Sequence, residues 1–424
     1  MSVRKRETLI MTVGVGGTIK SGILRSIEAQ NPDRVVLLFT RESREKHGDE
    51  LIQEIKQRGI DIAEWVFSTD ESEADQLLFE YLRIIKNERK NGRVRVDITF
   101  GTKTMTSALY SAGLVSGLEV ASYVEGRRDS DGRVIPGSER LLVIPYELSR
   151  IAMSCKRLVE LYNSHYYGSA LQIAEQIAKA TSGSDTLKIK TETLYRVCRL
   201  AYLWDKFDFE QAFETVKTLS QYKAPANVIG ELFGLPAEMV QEKLKDLAGY
   251  LNALAKGGSG AQMNPDLVWE LVRNADRRAS NSLWDDAVAR LYRAVEYIGQ
   301  LRLHEIGLFD GEKALPPKDN SISLPPDLRK ALGEKRPLGL KDLYRYLSCL
   351  GDEFGNRLIE NGELKSEIGN IISKRNKSIL AHGFKPVGRD AYEKMRELVL
   401  ELVSAAGIEE PRFDILKLNE DLIL

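Results

Sequence analysis

The stretch VRVDITFGTKTMTSALYSAG, Val94 to Gly113, reads as a buried strand ending at Asp97-Ile98-Thr99, a turn at Phe100-Gly101-Thr102, and a helix that Lys103 enters near Thr104. Hydroxyls, a flexible glycine, a lysine and a helix N-terminus converge where the strand ends. In an open α/β sheet that is the carboxyl edge, the place where such sheets bind ligands. The ligand that suits this edge is anionic and nucleotide-like. Thr102 and Gly101 would serve equally as a plain helix cap and turn with Lys103 in water, and the local residues leave both readings open.

Outward from this stretch, residues 1–148 alternate short β-branched runs with helical spacing. ETLIMTV, DRVVLLFT, IAEWVFS, VRVDITF and LEVASYVE each read as a buried strand, and Ile23–Gln30 and Glu50–Arg58 have helical apolar spacing. That alternation predicts a Rossmann-like α/β domain with a parallel sheet and helices on both faces. After Val124 the turn chemistry of RRDSDGR predicts a hairpin into RLLVIPY. The first strand runs into VGVGGTIKSG, a second loop able to present backbone N–H groups to an anion at a helix start. Position 19 is Ile19, where the dinucleotide fingerprint needs a third glycine, so this is not an NAD site; Thr102 before Lys103 equally excludes a P-loop.

From Glu147 onward the pattern is helical throughout, with no strand expected. AKGGSGAQMNP, Ala255 to Pro265, is the best linker, and a Pro-rich loop runs from Leu315 to Asp327. The expected organisation is an α/β domain over 1–148, an all-α middle segment over 149–262 and an all-α C-terminal domain over 263–424. Lys+Arg and Asp+Glu number 61 and 62, so any nucleic-acid contact must come from a local basic patch. Three scattered cysteines show no metal spacing and leave one unpaired in any disulfide scheme, pointing to a reducing compartment and no structural zinc. The basic, then apolar N-terminus passes directly into a glycine loop and reads as a strand rather than a signal peptide, and no apolar run is long enough to span a membrane. A cytoplasmic protein is expected.

KRNKSILAHGF, Lys374 to Phe384, sits at the end of a helical run whose apolar stripe is Leu364, Ile368, Ile371, Ile372, Ile379 and Leu380. Seven residues make almost two helical turns, which would put Arg375 and His382 on nearly the same side, about 10 Å apart along the axis, with Asn376 beside them. A histidine titrates near neutral pH and can move the 2′-OH proton of RNA; a guanidinium can hold the phosphate in two places; an Asn amide can orient it. No metal is needed. Arg375, Lys377 and His382 would also suit a helix C-terminus through its dipole, so the motif alone leaves a structural role open. Upstream, SLWDDAVARLYRAVEYIGQLRL, Ser282 to Leu303, predicts a long amphipathic helix with Trp284, Val288, Leu291, Val295 and Ile298 inward. Arg290, Arg293 and Glu296 lie on another face, as RNA-contacting or supporting residues or as a solvated ion pair.

Two resemblances sharpen these readings. The loop Gly14-Val15-Gly16-Gly17-Thr18 together with DITFGTKTMTSAL resembles the CARF domain, the sensor of CRISPR-associated proteins, although Phe100 stands where many relatives carry a second glycine. The match implies that Gly14, Gly16, Gly17, Thr18, Gly101, Thr102, Lys103, Thr104 and Met105 contact a cyclic oligoadenylate activator in a pocket shared across a two-fold axis. The Arg375–His382 motif in an all-helical C-terminal segment resembles HEPN ribonucleases, whose two copies meet across a dimer. The resemblance implies catalytic roles for Arg375, Asn376 and His382, with Lys377 supporting. In this order the two halves resemble the ancillary ribonucleases of type III CRISPR systems: homodimers that need no cofactor and cut single-stranded RNA when the activator binds. A sensor or ring nuclease that binds or cleaves cyclic oligoadenylate and signals to a partner without cutting RNA is the alternative.

Overall fold

The computed structural model of the protein describes residues 6–16, 19–67, 73–127, 130, 135, 137–221, 226–257, 263–319, 321–376 and 384–422. Of the sequence-predicted site, Gly17, Thr18, Lys377 and His382 lie outside the described residues. The chain forms two compact units, Met1–Met153 and Ser154–Leu424.

In the first unit, β1 (Arg6–Val13), α1 (Ile19–Gln30), β2 (Arg34–Thr40), α2 (Arg41–Gln57), β3 (Asp61–Phe67), α3 (Ala74–Glu88), β4 (Gly92–Asp97), α4 (Lys103–Val115), β5 (Val120–Glu125) and β6 (Arg140–Pro145) follow in order. The sheet order is β3-β2-β1-β4-β5-β6. Pairings are parallel except β5–β6, the predicted hairpin, which is antiparallel with Val120 opposite Pro145 and Val124 opposite Leu141. Because side chains alternate across a strand, Ile10, Val36, Leu38 and Val96 face one core with α3 and α4. Leu9, Met11, Val35, Leu37 and Phe39 face the other with α1 and α2. This is why the central strands read as unbroken apolar runs. β3 differs. It is an edge strand, with Trp65 42% and Val66 46% exposed, so IAEWVFS is not the buried strand its composition predicts.

The strand order reverses between β1 and β4: β2 lies on one side of β1 and β4 on the other. The loops after these two strands, one carrying Gly14 and Gly16 and the other Phe100 to Thr102, therefore emerge side by side at the switch point, where open α/β sheets leave a crevice.

The chain passes into the second unit within α5 (Glu147–Asn163). There follow α6 (Tyr167–Ala180), α7 (Asp185–Asp205), α8 (Phe209–Gln221), α9 (Ala226–Phe233), α10 (Ala237–Lys256), α11 (Asp266–Ser280) and α12 (Trp284–Glu305). Then come α13 (Pro326–Gly333), α14 (Leu340–Cys349), α15 (Glu353–Leu358), β7 (Ile359–Glu360), β8 (Glu363–Leu364), α16 (Ser366–Asn376) and α17 (Arg389–Ala405). The helical stretches break where single residues adopt left-handed backbone: His165 between α5 and α6, Phe207 between α7 and α8, Ser282 between α11 and α12. The hairpin of β7 and β8 corrects the expectation of no strand beyond Glu147. It also takes Leu364 out of the motif helix and into β8. Two residues per strand are too few to leave a periodic signal.

α12 is the axis of this unit. Val288, Leu291, Val295 and Ile298 are buried, as predicted, against α11, α14, α16 and α17, while Trp284 is half-buried against the same core. Each such side chain contributes about 1.5–3 kcal/mol on burial. Middle and C-terminal helices are joined by buried polar contacts. Asp205 of α7 accepts from Asn274 Nδ2 at 2.9 Å and Arg277 Nε at 2.9 Å on α11, and Glu270 accepts from Trp204 Nε1 at 2.7 Å and Tyr250 OH at 2.6 Å.

Candidate functional sites

In the first unit the two glycine loops meet. The Thr12 hydroxyl at the end of β1 donates to the Phe100 carbonyl after β4. A Cβ placed on Gly14 would stand 3.1 Å from the Gly101 amide nitrogen, tighter than an ordinary contact, so glycine here lets the two loops approach without displacement. Gly101 has φ +115°, and a Cβ there would stand 3.0 Å from Thr12 Cβ. Phe100, in place of a further glycine, turns its ring under α1, where a Cβ on Gly22 would stand 2.4 Å from it. The departure from the glycine pattern is thus absorbed by a glycine on the neighbouring helix.

Beneath the loops lies Asp97, a fully buried carboxylate that makes no ion pair among the described residues. Its Oδ2 accepts from the Ser26 hydroxyl at 2.5 Å, the Ser122 hydroxyl at 3.1 Å and Gln30 Nε2 at 3.3 Å. Its Oδ1 accepts from the Thr99 amide at 2.9 Å and from the Thr99 hydroxyl, which itself accepts from Val124 N at 2.8 Å. α1, β4, β5 and the loop are thereby tied through one side chain, a satisfied buried network that fixes a single arrangement.

Thr102 caps α4, its hydroxyl accepting from Met105 N at 3.2 Å. The cap reading of Thr102 is therefore realised, although the residue stays exposed. Lys103 stands exposed at the first helical position, and its ammonium makes no hydrogen bond or ion pair among the described residues. Gly16 is exposed and Thr104 half-buried. Met105 is fully buried against β1 and β4 in the α3–α4 core, so it supports the loop from below and does not face a ligand. Lys46 of α2 donates to the Val15 carbonyl at 2.8 Å and steadies the first loop from outside.

In the second unit, α16 ends in Arg375 and Asn376. Ile368 and Ile372 are buried, which holds this helix against α12 and α17. The Arg375 guanidinium lies over the Tyr292 ring, 4.3 Å from its centroid, and its Nη1 donates to Asn376 Oδ1 at 3.1 Å. Asn376 is exposed. Tyr292 and Glu296 share a face of α12; burial, with the Glu296 carboxylate nearby, pushes the Tyr292 hydroxyl up to about 12. Burial also raises the Glu296 carboxyl, against the pull of Arg293, Tyr292 and Arg375. Arg293 lies 3.7 Å from Glu296 and over the Tyr297 ring.

Arg290 is elsewhere. Its guanidinium binds Asn274 Oδ1 and, at 2.8 Å, the Asp286 carbonyl, and burial lowers it below the usual arginine range. It braces α12 on α11 beside the Asp205 network, which accords with the supporting one of the two roles the sequence left open. Helical spacing could not separate Arg290 from Arg293, since three positions share a face. Tyr292 was missed because a half-buried tyrosine on an amphipathic helix reads as packing; its spacing of four from Glu296 was the available signal.

Among the described residues no group of His, Cys, Asp and Glu is placed to hold a metal ion, and no helix is long and apolar enough to cross a membrane.

A doubly wound sheet whose glycine loops meet at its switch point, followed by a mainly helical unit that places an Arg-Asn pair against an aromatic ring, defines a two-part architecture. Residues 258–406, about a third of the chain, match the family described as Csm6 HEPN domain. Over its whole length the chain shares the fold of Enterococcus italicus Csm6 bound to cyclic hexa-2′-fluoro-hexa-dAMP, with a TM-score of 0.56 at 16% identity over 97% of this chain and 96% of that one. Residues 258–406 thus carry the match to a Csm6 HEPN domain, and the chain as a whole carries the fold of that Enterococcus protein. A fainter likeness, with a TM-score of 0.25 at 16% identity over 47% of this chain and 66% of the other, is to Can2 from Sulfobacillus thermosulfidooxidans in complex with cyclic tetra-adenylate. No curated protein matches the chain.

Proposed function

We propose that the protein is an endoribonuclease of CRISPR antiviral defence that a cyclic oligoadenylate switches on. The observation that carries this reading is the Arg375–Asn376 pair, presented on Tyr292 at the end of α16 inside the segment that matches a Csm6 HEPN domain. In the proposed reaction the ribose 2′-oxygen forms a bond to the adjacent phosphorus as the P–O5′ bond breaks. His382 moves the proton, and the products are a 2′,3′-cyclic phosphate and a 5′-hydroxyl. Arg375 holds the phosphate edge-on and stabilises its added charge, and Asn376 orients it. Arg293 and Lys377 add positive charge for the incoming strand. The chemistry requires no metal.

The activator site is assigned to the β1 and β4 loops: Gly14, Gly16, Gly17 and Thr18 with Gly101, Thr102, Lys103 and Thr104. Support comes from their meeting at the switch point, from the free ammonium of Lys103 at a helix N-terminus, and from the cyclic hexanucleotide analogue bound by the Enterococcus protein of the same fold. One Gly-Thr-Lys loop covers part of a ring and one Arg-His pair supplies one wall of a cleft. The active form is therefore assigned as a homodimer with both sites on its two-fold axis. The test is a labelled single-stranded RNA incubated with the protein and cyclic oligoadenylates of three to six nucleotides in turn. Cleavage should appear with one ring size; RNA left intact with every ring would overturn the reading.

A further inference from the structure

We infer that Tyr292 is the positioning residue that sets the plane of the Arg375 guanidinium for the phosphate. This rests on the ribonuclease reading above and adds to it one residue that sets how its arginine is aimed. A guanidinium has five N–H donors, all in its plane, and a π face that donates nothing. Stacking at 4.3 Å on Tyr292 occupies the face, and Asn376 Oδ1 takes one bond from Nη1. The remaining edge stays available for a bidentate grip on a phosphate. An ion pair directly to Arg375 would fix the side chain equally well but would consume that edge; Arg375 has no ion pair among the described residues.

Tyr292 is half-buried and packs against the core of the second unit. It is carried by α12, whose adjoining face is locked into that core by Leu291, Val295 and Ile298. The aim of Arg375 is thus set by a rigid helix, and α16 supplies only the backbone from which it reaches.

Single-turnover cleavage of a labelled single-stranded RNA, with cyclic tetra-adenylate and cyclic hexa-adenylate run in parallel, tests this. Tyr292→Phe keeps the ring and should cleave within about threefold of wild type, whereas Tyr292→Leu should slow the cleavage step about 10- to 30-fold. RNA affinity, measured by filter binding, should change less than about threefold, because the phosphate charge is still met. In an Arg375→Lys background, where there is no plane to orient, Tyr292→Leu should add less than about threefold. A circular-dichroism melt checks that each variant folds. A Tyr292→Leu protein that cuts as wild type does, or loses the same factor in both backgrounds, or a Tyr292→Phe protein as slow as Tyr292→Leu, would overturn the inference. If Arg375→Lys itself cut at the wild-type rate, the ribonuclease reading would fall instead.

Discussion

Gly14 and Gly101 touch across the switch point of the sheet: a methyl group on Gly14 would lie 3.1 Å from the Gly101 nitrogen and 3.2 Å from its Cα. The contact is backbone to backbone, so no side chain can rotate away to relieve it. Gly14→Ala should therefore destabilise the protein by about 1–3 kcal/mol and weaken activator binding together. Urea denaturation and calorimetric titration of the ligand measure the two effects, and a variant that kept both at wild-type values would separate the loops from the binding site.

Asp97 supports the same loops from inside. Asp97→Asn replaces an acceptor of five hydrogen bonds by a group whose amide hydrogens face donors, at a cost of about 3 kcal/mol, and frees Thr99 from the end of β4. The urea midpoint should fall while the slope of the transition is kept.

Glu270 gives a pH dependence. Burial raises its carboxyl above the usual range although Trp204 and Tyr250 donate to it. The folded state thus binds its proton more tightly than the unfolded chain. The stability linked to this group is full below the unfolded value near 4.5 and declines as pH rises through the folded value. Glu270→Gln should flatten that decline. Melting temperatures of both proteins from pH 4 to 8 check it; parallel curves would contradict it.

Much of the fold was legible. The central strands announced themselves as apolar runs because a parallel sheet is covered on both faces, and α12 because Val288, Leu291, Val295 and Ile298 recur on one side. What misled was position in the sheet and side-chain direction. β3 reads as a strand through Ile62, Trp65, Val66 and Phe67 yet lies at the edge. Met105 belongs to the glycine-loop signature but points down into the core. Arg290 and Arg293 share a helical face by spacing, and only packing against α11 separates the brace from the residue beside Glu296. The contact between Tyr292 and Arg375 joins positions 83 apart and leaves no periodic trace.

The nuclease chemistry is checked by end groups. RNA products should carry a 2′,3′-cyclic phosphate, excess EDTA should change the rate little, and His382→Ala should lower it by a factor on the order of 10² or more while activator binding persists. A strict Mg²⁺ requirement, or near wild-type cutting by the His382 variant, would count against the assignment.

The central claim is that a ligand held at the Gly-Thr-Lys loop controls cleavage at the Arg-Asn-His motif. Coupling of this kind is limited by the ligand's differential affinity for the resting and active states. The most direct measurement titrates the activating cyclic oligoadenylate into wild type and Lys103→Ala, following RNA cleavage and direct ligand binding together. The account predicts that Lys103→Ala binds more weakly and needs correspondingly more ligand for activation, while its slow cleavage without ligand is unchanged. A Lys103→Ala protein that bound and responded as wild type does would place the sensor site elsewhere.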